Sequence, residues 1–169
     1  MKCVLQRVLS ASVTVEGQKI SSINQGLLLL IGIMTGDTLD DAHKLASKIL
    51  RLKLWNSSPE DKPWQRSIVD IQGQILCVSQ FTLGATTKKG AKPDFHKSMK
   101  GPEARPLYEA VLEELRKGLG EVKREENGEG GVRRGFELKV QDGAFGEMME
   151  VGLVNDGPVT ILLDTKEEI

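Results

Sequence analysis

Residues 27–34 read Leu-Leu-Leu-Leu-Ile-Gly-Ile-Met, without a single polar side chain. A stretch of strand length that is apolar at both odd and even positions must be covered on both faces. The chain therefore has to build a layer on each side of this strand. The run is too short for a bilayer, which takes roughly 20 apolar residues. The opening Met1-Lys2-Cys3-Val4 also lacks the apolar stretch of a secretory leader, so a cytoplasmic protein with no membrane partner is expected.

The flanking sequence supplies the layers. Val4, Gln6 and Val8, then Ala11, Val13 and Val15, have strand alternation before a Glu16-Gly17 turn. Thr38 opens a helix with Asp41 three residues on, a capping-box spacing with Asp in place of Glu. Ala42, Leu45, Ala46 and Ile49 put an apolar stripe on that helix, and His43 faces solvent. After a polar loop at 56–66, strands are expected at Ser67–Ile71 and Gln74–Leu83, joined through Gln72-Gly73. A second helix starts near Glu103 with Leu107, Val111, Leu112 and Leu115 as its stripe. Residues 118–135 hold six glycines among charges of both signs and read as a mobile insertion. Two strands, Met149–Val154 and Val159–Leu163, flank Asn155-Asp156-Gly157-Pro158. At 169 residues, with no repeat or linker, this is a single α+β domain, 1–169: a curved antiparallel or mixed sheet with two packed helices.

Several kinds of chemistry find no support. Two cysteines, Cys3 and Cys77, sit in apolar strand contexts and are expected to be buried and inert. The two histidines, His43 and His96, form no ligand pair, so no metal and no cofactor are expected. There is no nucleophile elbow, phosphate-binding glycine loop or zinc-protease motif. With 23 basic against 24 acidic residues the chain is no polycation, but residues 84–105 carry six cations and two carboxylates. Lys88, Lys89 and Lys92 lie there beside Phe95 and His96. Mobile cations with rings able to stack suit a single-stranded nucleic-acid end, and a solvated loop has the same composition.

Two further segments stand out. In Ser79-Gln80-Phe81-Thr82-Leu83 a strand runs into a loop, and its hydroxyls are either structural or, given a base, nucleophilic. In Asn155-Asp156-Gly157-Pro158 the proline withholds an amide where a strand begins, which fits a structural turn or a close backbone approach to a ligand. Together they resemble the paired signature motifs of the D-aminoacyl-tRNA deacylase family. The likeness extends to Gln6-Arg7-Val8, Ala11-Ser12-Val13 and Gln141-Asp142-Gly143-Ala144-Phe145-Gly146, nearly the whole chain. Glu147 departs from the small residue usual there, and the 118–135 segment is longer than in compact members.

The resemblance implies a homodimer acting on aminoacyl-tRNA, with active sites at the subunit interface. Catalysis would sit at Ser79, Gln80, Phe81 and Thr82. A cis Gly157-Pro158 from the partner, its carbonyls held by Arg7, would exclude L-amino acids. The reaction implied is hydrolysis of the ester in D-aminoacyl-tRNA or mischarged glycyl-tRNA, without cofactor. Phe145 and Met149 are weaker candidates for an adenosine wall, and Lys88, Lys89 and Lys92 for contacts to tRNA. The alternatives are a non-catalytic nucleic-acid-binding module using the 84–105 loop and a hydrolase with Thr82 as nucleophile.

Overall fold

The computed structural model describes residues 1–57, 62–88, 90–120 and 139–167. A long strand β1 (Lys2–Val15) turns at Glu16-Gly17 into β2 (Gln18–Ile23) and β3 (Gly26–Gly32). Both lie antiparallel along one edge of β1, Val15 opposite Gln18 and Lys2 opposite Gly32, so they form one interrupted return strand. Helix α1 (Leu39–Arg51) then crosses to β4 (Gln74–Ser79), parallel to β3. Helix α2 (Gly101–Gly118) crosses again to β5 (Val140–Asp142), parallel to β4. The last strand, β6 (Glu150–Asp164), runs antiparallel along the other edge of β1. The result is a curved, mixed six-stranded sheet with two helices packed on it.

The double coverage demanded by the 27–34 run is met. Leu27, Leu29 and Ile31 enter the cluster that also holds Leu45 and Ile49 of α1 and Val111, Leu112 and Leu115 of α2. Leu28 turns the other way, onto Val8, Val13, Leu76 and Val78 inside the curl of the sheet. Strand β1 changes sides part-way: Cys3 and Leu5 face the helices, but Ala11 and Val13, of the same parity, face the inner cluster. The one-residue irregularity in the pairing with β6 between Val8 and Ser10 accounts for the flip, because one residue out of register exchanges the faces of a strand.

Local chemistry fixes the helix starts. The Asp41 carboxylate accepts from the Thr38 N–H at 2.9 Å and hydroxyl at 3.0 Å, the reciprocal cap expected from the spacing. At its other oxygen Asp41 accepts from the Thr165 hydroxyl at 2.7 Å and from Lys166 Nζ at 2.9 Å, which ties the segment after β6 to α1. Burial raises the Asp41 pKa, but these hydrogen bonds from Lys166, Thr165 and Thr38 outweigh it and hold the carboxyl well below the usual range. Helix α2 starts at Gly101, ahead of the expected Glu103, because Pro102 is tolerated in the first turn.

Three expectations need correction. Ser67–Ile71 is not a strand but a turn: Asp70 accepts from both the N–H and hydroxyl of Ser67 at 2.8 Å, and this local cap wins over strand pairing. The 74–83 strand stops at Ser79 and gives way to a 3-10 turn, Phe81–Gly84. The two terminal strands are one, β6, with the Asn155–Pro158 segment carried as an excursion within it. Of the expected 118–135 insertion, Gly118–Gly120 close α2 and residues 121–135 lie outside the described residues. His43 is exposed. Both cysteines are buried free thiols, and burial pushes their pKa values up, which leaves them inert. No helix among the described residues is long and apolar enough to cross a membrane.

Candidate active site

Strands β3, β4 and β5 are parallel, so their carboxyl ends open on one side of the molecule, where sheets of this kind bind ligands. Ser79 to Thr82 leave the end of β4 there. The Gln80 N–H donates to the Ile31 carbonyl at 2.8 Å, which fixes the exit from the strand. The chain then tightens into the 3-10 turn, with the Leu83 N–H on the Gln80 carbonyl at 3.2 Å. As the first two residues of that turn, Phe81 and Thr82 keep backbone N–H groups without an acceptor among the described residues. The Ser98 hydroxyl donates to the Phe81 carbonyl at 2.6 Å and clamps the turn from outside. Gly84 is packed against the clamp: a Cβ there would come within 2.2 Å of Ser98 Oγ.

Ser79 and Gln80 are half-buried, whereas Phe81 and Thr82 are exposed. The Thr82 hydroxyl accepts from the Gln80 amide at 2.5 Å. An amide N–H can donate but cannot take a proton, so this contact does not activate Thr82 as a nucleophile. Phe81 lies edge-on to Phe95 at 5.1 Å between ring centroids. Beside the turn is a cavity of about 380 Å³ walled by Lys2, Thr35, Gly84, Thr86, His96 and Lys97. Lys97 is one of the six cations of the 84–105 loop, whereas Lys2 and Thr35 were not among the residues singled out from the sequence. They reach the site through long-range pairing, Lys2 opposite Gly32 and the Thr35 N–H on the Lys97 carbonyl at 2.9 Å.

The basic loop is a small hairpin. Thr86 and Asp94 exchange backbone hydrogen bonds of 2.8 and 2.9 Å, which leaves Lys88 and Lys92 exposed near its tip, and Lys89 lies outside the described residues. His96 donates from its backbone N–H and its ring to Asp94, and these bonds lower the Asp94 pKa. Phe145 is half-buried against Tyr108 at 5.4 Å, with the Arg105 guanidinium 5.9 Å from its ring centre. Met149 packs on the inner cluster, close above Gly143, where a Cβ would meet its sulfur at 2.6 Å. Both serve the core, and Phe145 does so at the carboxyl end of β5. Glu147 is exposed.

The second signature segment is built across β1. Four residues, 156–159, bulge between the Asn155–Val8 and Thr160–Gln6 pairs. The Asn155 amide stitches the excursion shut, donating to the Arg7 carbonyl at 2.7 Å and the Val159 carbonyl at 3.2 Å. Arg7 Nε pairs with Asp156 Oδ2 at 3.0 Å, and Arg7 also donates to the Leu54 carbonyl. The arginine thus grips the residue before Gly157 and the segment after α1. Gly157 has φ +116°, in the region that favours glycine, and the Gly157–Pro158 peptide bond is cis. Both residues are exposed.

Within the chain the two segments do not meet. The strand register sets Gly157 opposite Arg7, and Ser79 level with Cys3. Four residues along the strands and three strands across amount to about 19 Å at ~3.3 Å per residue and ~4.8 Å per strand.

The chain matches the sequence profile of the family described as D-Tyr-tRNA(Tyr) deacylase over residues 4–164. The chain belongs to this family. Relatives named D-aminoacyl-tRNA deacylase include one from Schizosaccharomyces pombe, 52% identical over 99% of this chain and 100% of its own. One from Flavobacterium johnsoniae is 42% identical, covering 98% of each. The name denotes a hydrolase of the aminoacyl-tRNA ester. A solved structure described as c-Myc DNA Unwinding Element Binding Protein is 41% identical, with a TM-score of 0.82 over 97% of this chain and 98% of that one. Another, described as a probable eukaryotic D-amino acid tRNA deacylase, is 18% identical with a TM-score of 0.75 over 96% and 97%, and shares the fold.

Proposed function

We propose that the chain hydrolyses the ester of D-aminoacyl-tRNA, and of glycyl-tRNA formed by mischarging, in the cytoplasm where translation draws on that pool. The observation that carries this reading is the pair of unpartnered N–H groups on the Phe81–Gly84 turn, in a family whose full-length relatives bear that name. Water adds to the ester carbonyl carbon and the bond to the ribose 3′ oxygen breaks. That oxygen takes a proton, and free amino acid and tRNA leave. The ester is already activated, and the vicinal 2′-hydroxyl can orient the water. The protein then has to hold the ester and stabilise charge on the carbonyl oxygen, the task of the Phe81 and Thr82 amides. No side-chain base is required. The half-exposed Phe145 and Met149 would receive the terminal adenosine, and Lys88, Lys89 and Lys92 the preceding phosphates.

Selection by chirality would come from a second copy. In a homodimer, Gly157-Pro158 of one protomer would enter the partner's pocket beside Ser79–Thr82. An L-side chain would then meet backbone, and a D-side chain or a glycine hydrogen would not. Three features support this: the ~19 Å between the segments in one protomer, their exposure, and the apolar surface of β6, where Val154 is 53% and Leu162 77% exposed.

The DNA-binding name of the 41%-identical relative and the Lys88–Lys92 hairpin favour a second reading, a nucleic-acid-binding module without chemistry. Deacylation of D-aminoacyl-tRNA measured beside its L-counterpart decides. Turnover of the D-ester alone is expected; binding of both without turnover would sustain the second reading.

A further inference from the structure

We propose that the outer face of α1 is a docking groove for the duplex part of the RNA whose 3′ end enters the site, a reading that rests on the function proposed above. A groove of about 610 Å³ runs between α1, which contributes Lys44, Lys48 and Arg51, and the stretch Thr165–Glu167 that follows β6. The three α1 cations fall at i, i+4 and i+7, so they share one face and are separated by rises of ~6 and ~4.5 Å, on the scale of successive phosphates. The opposite stripe, Ala42, Leu45, Ala46 and Ile49, already packs the helix on the sheet, so these cations are not needed for that packing.

Their surroundings leave them available. Lys44 and Lys48 have no ion-pair partner among the described residues, and Arg51 donates from Nε to the Ser47 carbonyl at 3.1 Å without losing its charge. The fourth cation, Lys166, is pinned on Asp41 at 2.8 Å and also approaches Asp37, so it forms the wall. Among the described residues Glu167 is the one carboxylate lining the groove. The groove is also in the right place. The Asp164 carboxylate, next to Thr165, lies 3.7 Å from Lys2 Nζ, and Lys2 lines the cavity beside the Phe81–Gly84 turn. The two cavities are therefore neighbours across one ion pair. A polynucleotide whose single-stranded end enters the first would bring its next segment, a duplex, over the second. Duplex RNA offers proteins phosphates and shape rather than readable base edges, and unpaired cations on a rigid helix suit such a target.

The test uses the full chain, wild type and Lys44→Glu/Lys48→Glu/Arg51→Glu, with the Gln triple variant as a milder control, and circular dichroism to verify folding. Binding is followed by fluorescence anisotropy with an uncharged acceptor-stem minihelix and with its single-stranded 3′ tail alone. Wild type should bind the minihelix at least tenfold more tightly than the tail. The Glu variant should lose that advantage and flatten the salt dependence for the minihelix, leaving the tail unaffected. In hydrolysis, KM should rise at least tenfold for D-aminoacylated minihelix and stay unchanged for a D-aminoacylated adenosine, with kcat unchanged for both. Equal minihelix affinity of wild type and both variants, or equal losses on both substrates, would overturn the groove even if hydrolysis is found. Absence of turnover with the binding pattern intact would sink the hydrolase reading instead.

Discussion

Replacing Gly84 by alanine tests whether the Phe81–Gly84 turn is held by packing. The new Cβ would stand 2.2 Å from Ser98 Oγ and 3.1 Å from Met34 Sδ. Ordinary contact is more than an ångström longer at the first of these, so the Ser98 hydroxyl must swing away and lose its 2.6 Å bond to the Phe81 carbonyl. The lost hydrogen bond costs about 0.5–1.5 kcal/mol and overpacking against Met34 about 1–3 kcal/mol. The sum is roughly 1.5–4.5 kcal/mol, which at this chain length lowers Tm by about 3–18 °C. Ser98→Ala removes the bond without the clash and should cost about 1 kcal/mol. The effect on rate should exceed that. If the Phe81 and Thr82 amides stabilise the carbonyl oxygen, misplacing one costs on the order of 100-fold in kcat, with KM little changed. Thermal unfolding and single-turnover deacylation of both variants are the assays. Ser98→Ala with full kcat would refute the role given to the turn, and Gly84→Ala with native Tm would refute the packing argument.

Thr82→Ala should retain most of its single-turnover rate; a fall to background with folding intact would restore the threonine nucleophile. Gly157→Ala places a Cβ 2.8 Å from Val159 Cγ2 and 3.2 Å from Arg7 Nη2 at a φ of +116°. Strain of about 1–3 kcal/mol should distort the excursion and reduce D-over-L selectivity, measured on paired D- and L-esters. Substituting Lys88, Lys89 and Lys92 with Gln should flatten the salt dependence of tRNA binding, by up to about 0.7 in log–log slope per lost contact to a single strand. Asp41 titrates lower in the folded chain than in the unfolded one, so its contribution is present above the unfolded pKa near ~4 and is lost as pH falls below it. Asp41→Asn should therefore lower Tm at pH 7, by an amount that shrinks toward pH 3 in calorimetry.

Pattern alone carried the parts of the fold that depend on local spacing: the doubly covered β3 and the stripe and cap of α1. It failed where a side chain competes with the backbone. Ile68, Val69 and Ile71 have strand composition, yet one carboxylate at Asp70 closes a turn on Ser67. Asn155-Asp156-Gly157-Pro158 has the composition of a hairpin turn, yet the Asn155 amide bridges the gap and lets β6 run through. In the site, the motif residues were legible as motifs. Lys2 and Thr35 were not, because only long-range pairing brings them to the cavity wall that Lys97 of the basic loop shares. The partners of Arg7 were equally hidden: Leu54 and Asp156 lie 47 and 149 positions away in sequence.

Strand β6 is hydrogen-bonded along one edge only among the described residues, and it spans 15 residues. It has no lysine or arginine to discourage another strand, and Val154 and Leu162 lie open to solvent. A bare ribbon of that length is an invitation to any extended chain in a crowded cell. If the homodimer proposed above covers this edge, newly made copies race between finding their own kind and being captured by others. Supply would then matter as much as sequence: below some cellular abundance most copies would be both idle and sticky, and halving expression would remove more than half of the function.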